Sequence, residues 1–194
     1  MFNLSKADIA IIGLGYVGLP LAVEFSKKFP TLGFDINQQR IDELEKGHDR
    51  TLEIADDQLS SVSNNLRYTS DIKNAKKCNI YIVTVPTPID EANQPNLKPL
   101  IEASRTVGSV LNNNDIVIYE STVYPGVTEE ICVPELEHSS GMRFNKDFFC
   151  GYSPERINPG DKNHRLPDII KIISGSNSEV TNLINDLYLE IIHA

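Results

Sequence analysis

The feature that most constrains the fold of this chain is the segment IIGLGYVGLP at residues 11–20, in which apolar residues lead into Gly13, Gly15 and Gly18. A lone G-x-G-x-x-G spacing is a weak signal, because glycines gather at any tight turn. Here an apolar run precedes the glycines, the amphipathic stretch LPLAVEFSKKF follows them, and a second apolar run, TLGFD, ends in Asp35. This order predicts a strand, a helix and a second strand, with the glycines at the first turn.

Each glycine has a distinct physical reason to be there. Gly13 permits the tight turn, Gly15 lets a pyrophosphate approach the backbone, and Gly18 lets the helix lie close to the strand. The free N–H groups and the positive end of the helix dipole then receive the phosphates. The loop is therefore expected to hold a dinucleotide.

Asp35 indicates which dinucleotide. It lies 17 residues after Gly18, at the end of the second predicted strand, where a carboxylate can accept both hydroxyls of the adenosine ribose. The same carboxylate would repel the 2′-phosphate of NADP, so NAD is the expected cofactor. Arg40 could accommodate that phosphate, but beside Asp35 we expect it to stack on the adenine or bond the ribose. The competing interpretation is that Asp35 only caps the following helix.

Short apolar runs alternate with amphipathic stretches along the rest of the chain. This alternation predicts an α/β, Rossmann-like fold, with a mainly parallel, doubly wound sheet and helices on both faces. The segment INQQRIDELEKG reads as a helix with Ile36, Ile41 and Leu44 at helical spacing, and DIIKIIS at 168–174 reads as a strand. A last helix is predicted to open with a capping box from Ser176 to Glu179. We expect an NAD-binding domain over 1–175 and, over 176–194, the start of a helix leading toward further segments.

Three polar loops follow predicted strands, so parallel strands would bring them to one edge of the sheet. TVPTPID has prolines that stiffen the backbone where a cofactor would lie, and ESTVYPG offers the hydroxyls of Ser121 and Thr122. YSPERINPGD carries Glu155, a candidate general base. Taken singly, Thr122 reads as an ordinary turn hydroxyl and Glu155 as a surface acid. Their shared position at strand ends favours a site.

The formal net charge of −9 at pH 7 and the pI of about 4.9 disfavour nucleic acid or an anionic membrane as a partner. No apolar run of membrane-spanning length and no secretory signal is found, so a cytoplasmic protein is expected. The three cysteines, Cys78, Cys132 and Cys150, lack the spacing of a disulfide framework or a zinc site, and we interpret them as buried thiols. No metal site is predicted.

Four segments, IIGLGYVGLPLA, VPTPID, ESTVYPGVTEEI and GYSPERINPGD, resemble the UDP-glucose/GDP-mannose dehydrogenase family in sequence, order and spacing. The resemblance covers residues 7 to about 175 and implies the NAD-binding domain of that family. It also implies a reaction that converts a sugar C6 alcohol to a carboxylate with two NAD, through an aldehyde and a cysteine thioester. The loops SPERINPGDKNHRL and VPTPIDEANQPNL look like those of UDP-N-acetylhexosamine 6-dehydrogenases of Vi-antigen and O-antigen type. A UDP-sugar substrate, surface polysaccharide biosynthesis and a homodimer or higher oligomer are implied with it.

The resemblance also implies roles for individual residues. Those near NAD would be Gly13, Gly15, Tyr16, Val17 and Gly18 at the pyrophosphate, Asp35 and Arg40 at the adenosine, Val85, Pro86 and Thr87 along the ribose, and Ser121 on the nicotinamide side. Thr122, which would also border NAD, and Glu155, which would also border the substrate, would hold and activate the water that hydrolyses the thioester. Arg156 and Ile157 would form part of the nucleotide-sugar wall.

One departure from the family pattern is important. The family's nucleophilic cysteine lies in a glycine-rich segment that this sequence lacks, so this chain alone is expected to bind NAD without turning over substrate. Two alternatives stay open at this point. One is a free-standing NAD-binding module without catalysis. The other is a fragment of a β-hydroxyacid dehydrogenase, which would leave PTPID and SPERI unexplained.

Overall fold

The fold is a single sheet of seven strands, seen in a computed structural model that describes residues 3–89, 94–156 and 166–194. The strands are β1 Ile9–Ile12, β2 Thr31–Phe34, β3 Leu66–Thr69, β4 Ile80–Val83, β5 Ile116–Tyr119, β6 Phe149–Tyr152 and β7 Ser174–Gly175. They lie in the order β3-β2-β1-β4-β5-β6-β7. All neighbours pair in parallel except β6 and β7, which pair antiparallel.

Helices connect the strands. The α-helices are α1 Gly18–Ser26, α2 Gln38–Glu45, α3 Asp56–Ser61, α4 Lys98–Gly108, α5 Val133–Ser140 and α6 Ser178–Leu189. Short 3₁₀ turns cover Leu4–Lys6, Ile72–Lys77 and Leu166–Asp168. A π-helical turn, Thr128–Cys132, leads directly into α5.

The core has two halves, one on each face of the sheet. In β1, Ile9 and Ile11 point into the half that α1 and α6 complete, while Ala10 and Ile12 point into the half that α4 and α5 complete. Phe25 of α1 has no exposed surface, and burying such a side chain contributes about 1.5–3 kcal/mol. Helices on both faces of a mainly parallel sheet confirm the predicted fold class.

The start of α2 differs from the prediction. The helix begins at Gln38, capped by Asn37, whose side chain accepts hydrogen bonds from the N–H groups of Gln39 and Arg40. Ile36 precedes this cap and is 84% exposed, so its predicted place on the buried face of the helix is wrong. Ile41 and Leu44 do face the core, as predicted.

The segment 168–174 is not the full strand that was predicted. Only Ser174–Gly175 pairs with β6, and Ile170 and Ile172 are exposed. The reason is that Lys171 faces the interior, where its ammonium pairs with buried Glu120. The apolar run therefore does not lie as a buried strand.

The last helix packs on the same sheet as the rest of the chain. Ile184, Leu187 and Tyr188 of α6 lie in the core half that α1 completes. The cap of α6 is Asn177, which accepts from the N–H of Val180 at 2.9 Å, so the predicted capping box from Ser176 is wrong. By its packing, 176–194 belongs to the same core as the residues before it. That further segments follow stays a prediction.

Candidate functional site

A cleft of about 500 Å³ opens above the carboxyl ends of the strands. It lies where β1 and β4 are neighbours, because the chain runs from β1 to β2 and β3 on one side and from β4 to β5 and β6 on the other. Parallel sheets bind ligands at such a switch point. The cleft is lined by the turns after β1, β2, β4, β5 and β6 and by one face of α4.

The glycine loop has the geometry that close approach of a ligand requires. Gly13 has φ +97°, a left-handed conformation that favours glycine. A Cβ on Gly18 would lie 1.9 Å from the carbonyl oxygen of Gly13 and 2.4 Å from Oγ1 of Thr84, so only glycine lets α1 pack here. A Cβ on Gly15 would meet no atom within 4 Å and would stand in the space that a pyrophosphate would use. The loop therefore fits a dinucleotide.

Asp35 lies at the cleft and is anchored by backbone donors. One carboxylate oxygen accepts from the N–H of Leu14 at 2.9 Å and the other from the N–H of Asn37 at 2.9 Å. A carboxylate has about four lone-pair positions, so both oxygens can still accept ribose hydroxyls. Since Asn37 caps α2, the alternative in which Asp35 serves as that cap is wrong.

We expect Asp35→Ala to weaken NAD binding roughly ten- to a hundredfold, because bonds to a charged acceptor contribute about 1.5–3 kcal/mol. Calorimetric titration of this chain with NAD measures the effect. Asp35→Asn is the matched variant, since it keeps an acceptor for Leu14 but removes the charge, and it should narrow the preference for NAD over NADP. Unchanged NAD affinity in Asp35→Ala would remove Asp35 from the site. Equal Kd values for NAD and NADP in the unaltered chain would overturn the proposed cofactor preference.

Arg40 lies behind the glycine loop rather than along the cleft. It is 5% exposed, its Nε donates to the carbonyl of Leu14 at 2.9 Å, and its Nη2 pairs with Asp49 at 2.7 Å. Burial raises the pKa of Asp49, but hydrogen bonds from Thr51 and Arg40 more than offset this and hold the pKa below its usual value. Nη1 of Arg40 has no hydrogen-bond partner among the described residues. In this arrangement Arg40 supports the loop through Leu14 instead of facing an adenine.

The loops after β4 and β5 are bonded to each other. The hydroxyl of Ser121 donates to the carbonyl of Val85 at 2.9 Å, and that of Thr87 donates to the carbonyl of Thr122 at 2.8 Å. Thr84 donates to the carbonyl of Gly13 at 2.7 Å, which ties the first of these loops to the glycine turn. Three strand ends therefore form one connected wall.

Glu155 follows β6 and faces this wall. Burial raises the pKa of its carboxyl to about 7, the nearby ammonium of Lys171 opposes that rise, and Glu120 adds to it. A carboxyl with such a pKa can accept a proton near neutral pH and is suited to general-base work. Its predicted position at the shared edge of the sheet is observed.

Most of the predicted site residues line the cleft. These are Gly13, Gly15, Tyr16, Val17, Asp35, Val85, Pro86, Thr87, Ser121, Thr122 and Glu155. Gly18, Arg40 and Arg156 lie outside the lining, Gly18 because it is packed against Gly13 and Arg156 as an exposed side chain. Ile157 lies outside the described residues.

Sequence reasoning missed part of the cleft and its support. Ile36 and the α4 residues Pro99, Glu102, Ala103 and Thr106 also line it. So does Glu120, which lies at the end of β5, pairs with Lys171 and accepts a hydrogen bond from Tyr188. The signal for this buried group was a lysine in the middle of the apolar run DIIKIIS, where an unpaired charge would be costly.

The three cysteines are free and buried, as predicted. Burial raises the pKa of Cys132 to about 11 and the pKa of Cys78 and Cys150 further, so none is a thiolate at neutral pH. Within the described ranges, no cluster of His, Cys, Asp and Glu side chains is arranged to hold a metal ion. Within the same ranges, no helix has the length and apolar character needed to cross a membrane.

Comparison with known proteins identifies the family. The model of the UDP-glucose/GDP-mannose dehydrogenase family, NAD binding domain, matches residues 7–192. The UDP-N-acetyl-D-glucosamine 6-dehydrogenase of Salmonella typhi is 59% identical over 194 residues, which is 100% of this chain and 45% of that protein. The enzyme of the same name from Pseudomonas aeruginosa is 61% identical over 98% of this chain and 45% of its own length. The chain thus spans about half the length of these curated relatives.

A solved structure agrees with the sequence matches. The UDP-D-ManNAc dehydrogenase of Pyrococcus horikoshii superposes with a TM-score of 0.88 at 34% identity, over 96% of this chain and 45% of that one. A family match over nearly the whole chain decides against the β-hydroxyacid dehydrogenase alternative. The glycine loop and the cleft beside Asp35 have the form that NAD requires. The chain belongs to the UDP-glucose/GDP-mannose dehydrogenase family and has the fold of its NAD-binding domain.

Proposed function

We propose that this chain is the NAD-binding domain of a UDP-sugar 6-dehydrogenase. The enzyme would oxidise the C6 alcohol of UDP-N-acetylglucosamine, or its galacto epimer, to a carboxylate with two NAD, for surface polysaccharide biosynthesis. The observation that carries the proposal is that Glu155 shares one cleft with the glycine loop and Asp35. A cofactor site alone would not need a carboxyl with a pKa of about 7. The names of the relatives from Salmonella typhi and Pseudomonas aeruginosa support the choice of sugar.

The residues of this chain would bind and orient the cofactor. The glycine loop, with Gly13, Gly15, Tyr16, Val17 and Gly18, would receive the pyrophosphate at the start of α1. Asp35 would accept the ribose hydroxyls, and Arg40 would hold the loop from behind. Val85, Pro86 and Thr87 would border the second ribose, with Ser121 near the nicotinamide. When bound, NAD would accept one hydride in each of the two oxidations.

Glu155 and Thr122 would act on water. Thr122 is exposed and lines the cleft, so its hydroxyl could hold a water molecule, and Glu155 could take the proton that this water loses as it attacks a thioester. With a pKa of about 7, Glu155 is about half ionised at neutral pH. Arg156 and Ile157 would contact the nucleotide sugar.

The nucleophile would come from outside this chain. Cys78, Cys132 and Cys150 are buried thiols with raised pKa values, and none of them lines the cleft. Covalent catalysis needs an accessible thiolate. We therefore expect the 194-residue chain to bind NAD and to leave UDP-sugars unoxidised.

The test compares this chain with the complete polypeptide that contains it. We expect the complete polypeptide to reduce two NAD for each UDP-N-acetylglucosamine consumed, as followed by NADH absorbance and uronate formation, with GDP-mannose as the control substrate. The chain alone should bind NAD but show no turnover. If the polypeptide in its source cells is no longer than this chain, or oxidises no UDP-sugar, the NAD-binding module without catalysis becomes the better account.

A further inference from the structure

A charged group is buried at the end of β5, where Glu120 lines the cleft that also contains Glu155. The ammonium of Lys171 pairs with Oε2 of Glu120, and the side chains are only 5% and 0% exposed. The hydroxyl of Tyr188 donates to Oε1 of the same carboxylate. The ammonium also lies 5.2 Å from the centroid of the Tyr188 ring. Glu120 comes from the end of β5, Lys171 from the segment before β7, and Tyr188 from α6. Only the tertiary fold brings these three side chains together.

A contribution to folding stability alone would not explain why these charged side chains are buried. Burying an ion pair costs desolvation that the mutual attraction often fails to recover, and apolar side chains of similar size are commonly as good. Lys171 is flanked on each side by two isoleucines, in a run that is otherwise apolar. The location of its partner supplies another reason, because Glu120 lines the same cleft as Glu155.

We propose that Lys171 is a positioning residue: held by Glu120 and Tyr188, it keeps a fixed positive charge beside Glu155 and so allows this half-buried carboxyl to ionise. The proposal rests on the proposed function only for the use that catalysis makes of the ionised form. Without Lys171, the carboxyl groups of Glu120 and Glu155 would share the cleft, and the positive charge that Lys171 supplies to them would be lost.

The two partners of the ion pair act on Glu155 in opposite directions. Lys171 lowers the pKa of Glu155 and Glu120 raises it. Lys171 comes from the segment before β7 and Glu120 from the end of β5. Tyr188 of α6 contacts both Glu120 and Lys171, but its side chain is uncharged and does not act as a counter-ion. Removing Lys171 should therefore raise the pKa of Glu155, and removing the charge of Glu120 should lower it. A loss of packing alone would not produce two opposite shifts.

The experiment is a side-chain ¹³C NMR titration of Glu155 in this chain, with its signal assigned by its absence in Glu155→Gln. We expect a midpoint of about 7 in the unaltered chain. Lys171→Met should raise the midpoint by about half a pH unit or more, since a nearby opposite charge favours the ionised form. Glu120→Gln should lower it, Lys171→Arg should keep it near the original value, and Lys73→Met, on the exposed surface, should leave it unchanged.

Circular dichroism establishes that each variant is folded before it is titrated. If Lys171→Met does not fold, the double variant Glu120→Gln, Lys171→Met is compared with Glu120→Gln, because this pair differs only in the lysine and buries no unpaired carboxylate. A higher midpoint in the double variant supports the proposal. An unchanged midpoint, or movement in the same direction in both single variants, overturns it. The titration needs no substrate, so a protein that oxidises no UDP-sugar would contradict the proposed function and not this inference.

Discussion

Gly18→Ala is expected to destabilise the fold strongly, while Gly15→Ala leaves the fold intact and removes NAD binding. At Gly18 the new Cβ would lie 1.9 Å from the carbonyl oxygen of Gly13, which already accepts a hydrogen bond from Thr84. Backbone must move there, and we expect a loss of about 3 kcal/mol in the free energy of unfolding, the upper end of the usual cost of overpacking. At Gly15 the new Cβ would meet nothing within 4 Å in the protein.

Gly15→Ala separates binding from folding, because its methyl group would occupy the space needed by the pyrophosphate. We expect NAD affinity to fall by more than about tenfold, that is by at least 1.4 kcal/mol of binding free energy, with unchanged denaturant unfolding. Denaturant unfolding and NAD calorimetry on both variants measure the two effects. A Gly18→Ala chain as stable as the original would show that α1 does not pack as described. A Gly15→Ala chain that binds NAD normally would move the pyrophosphate away from this loop.

Glu155→Gln should lower the turnover of the complete polypeptide by about 10²–10⁴-fold, the usual contribution of a general base. Glutamine keeps the shape of the side chain but cannot take a proton from water. In the unaltered enzyme the base must be ionised, so the rate should rise as pH increases through about 7, the pKa of Glu155. That rising limb should be lost in the variant, with NAD affinity unchanged.

Rapid mixing with UDP-N-acetylglucosamine locates the blocked step. Both oxidations precede hydrolysis in the proposed reaction, so Glu155→Gln should release two NADH per active site in a burst and then stall at the thioester. The variant should also be at least as stable as the original above pH 7. The pKa of Glu155 is about 7 in the folded state and about 4.3 in an unfolded chain. Between these pH values the unfolded state ionises first, so folding stability falls as the pH rises from about 4.3 to 7, and the glutamine variant does not undergo this loss. Normal steady-state product release would exclude Glu155 as the base.

Local sequence determined the parts of this protein that depend on short-range physics. The apolar runs before Gly13 and before Asp35 predicted β1 and β2, and the spacing of Gly13, Gly15 and Gly18 predicted a turn that admits a phosphate. Parallel strands place their carboxyl ends at one edge, so Asp35 and Glu155 were predicted at the same cleft although 120 residues separate them. These features follow from the periodicity of each local segment and from the common direction of parallel strands.

The tertiary structure alone decided how the charged side chains are used. Arg40 was expected to stack on the adenine or bond the ribose, yet it is buried against Asp49 and the carbonyl of Leu14. The apolar run around Lys171 was expected to be a strand, yet the ammonium turns inward to Glu120, 51 residues earlier in the chain. The cost of burying a charge depends on partners that sequence neighbours do not reveal. Only the folded sheet brings those partners within hydrogen-bonding distance, and with them the charge beside Glu155.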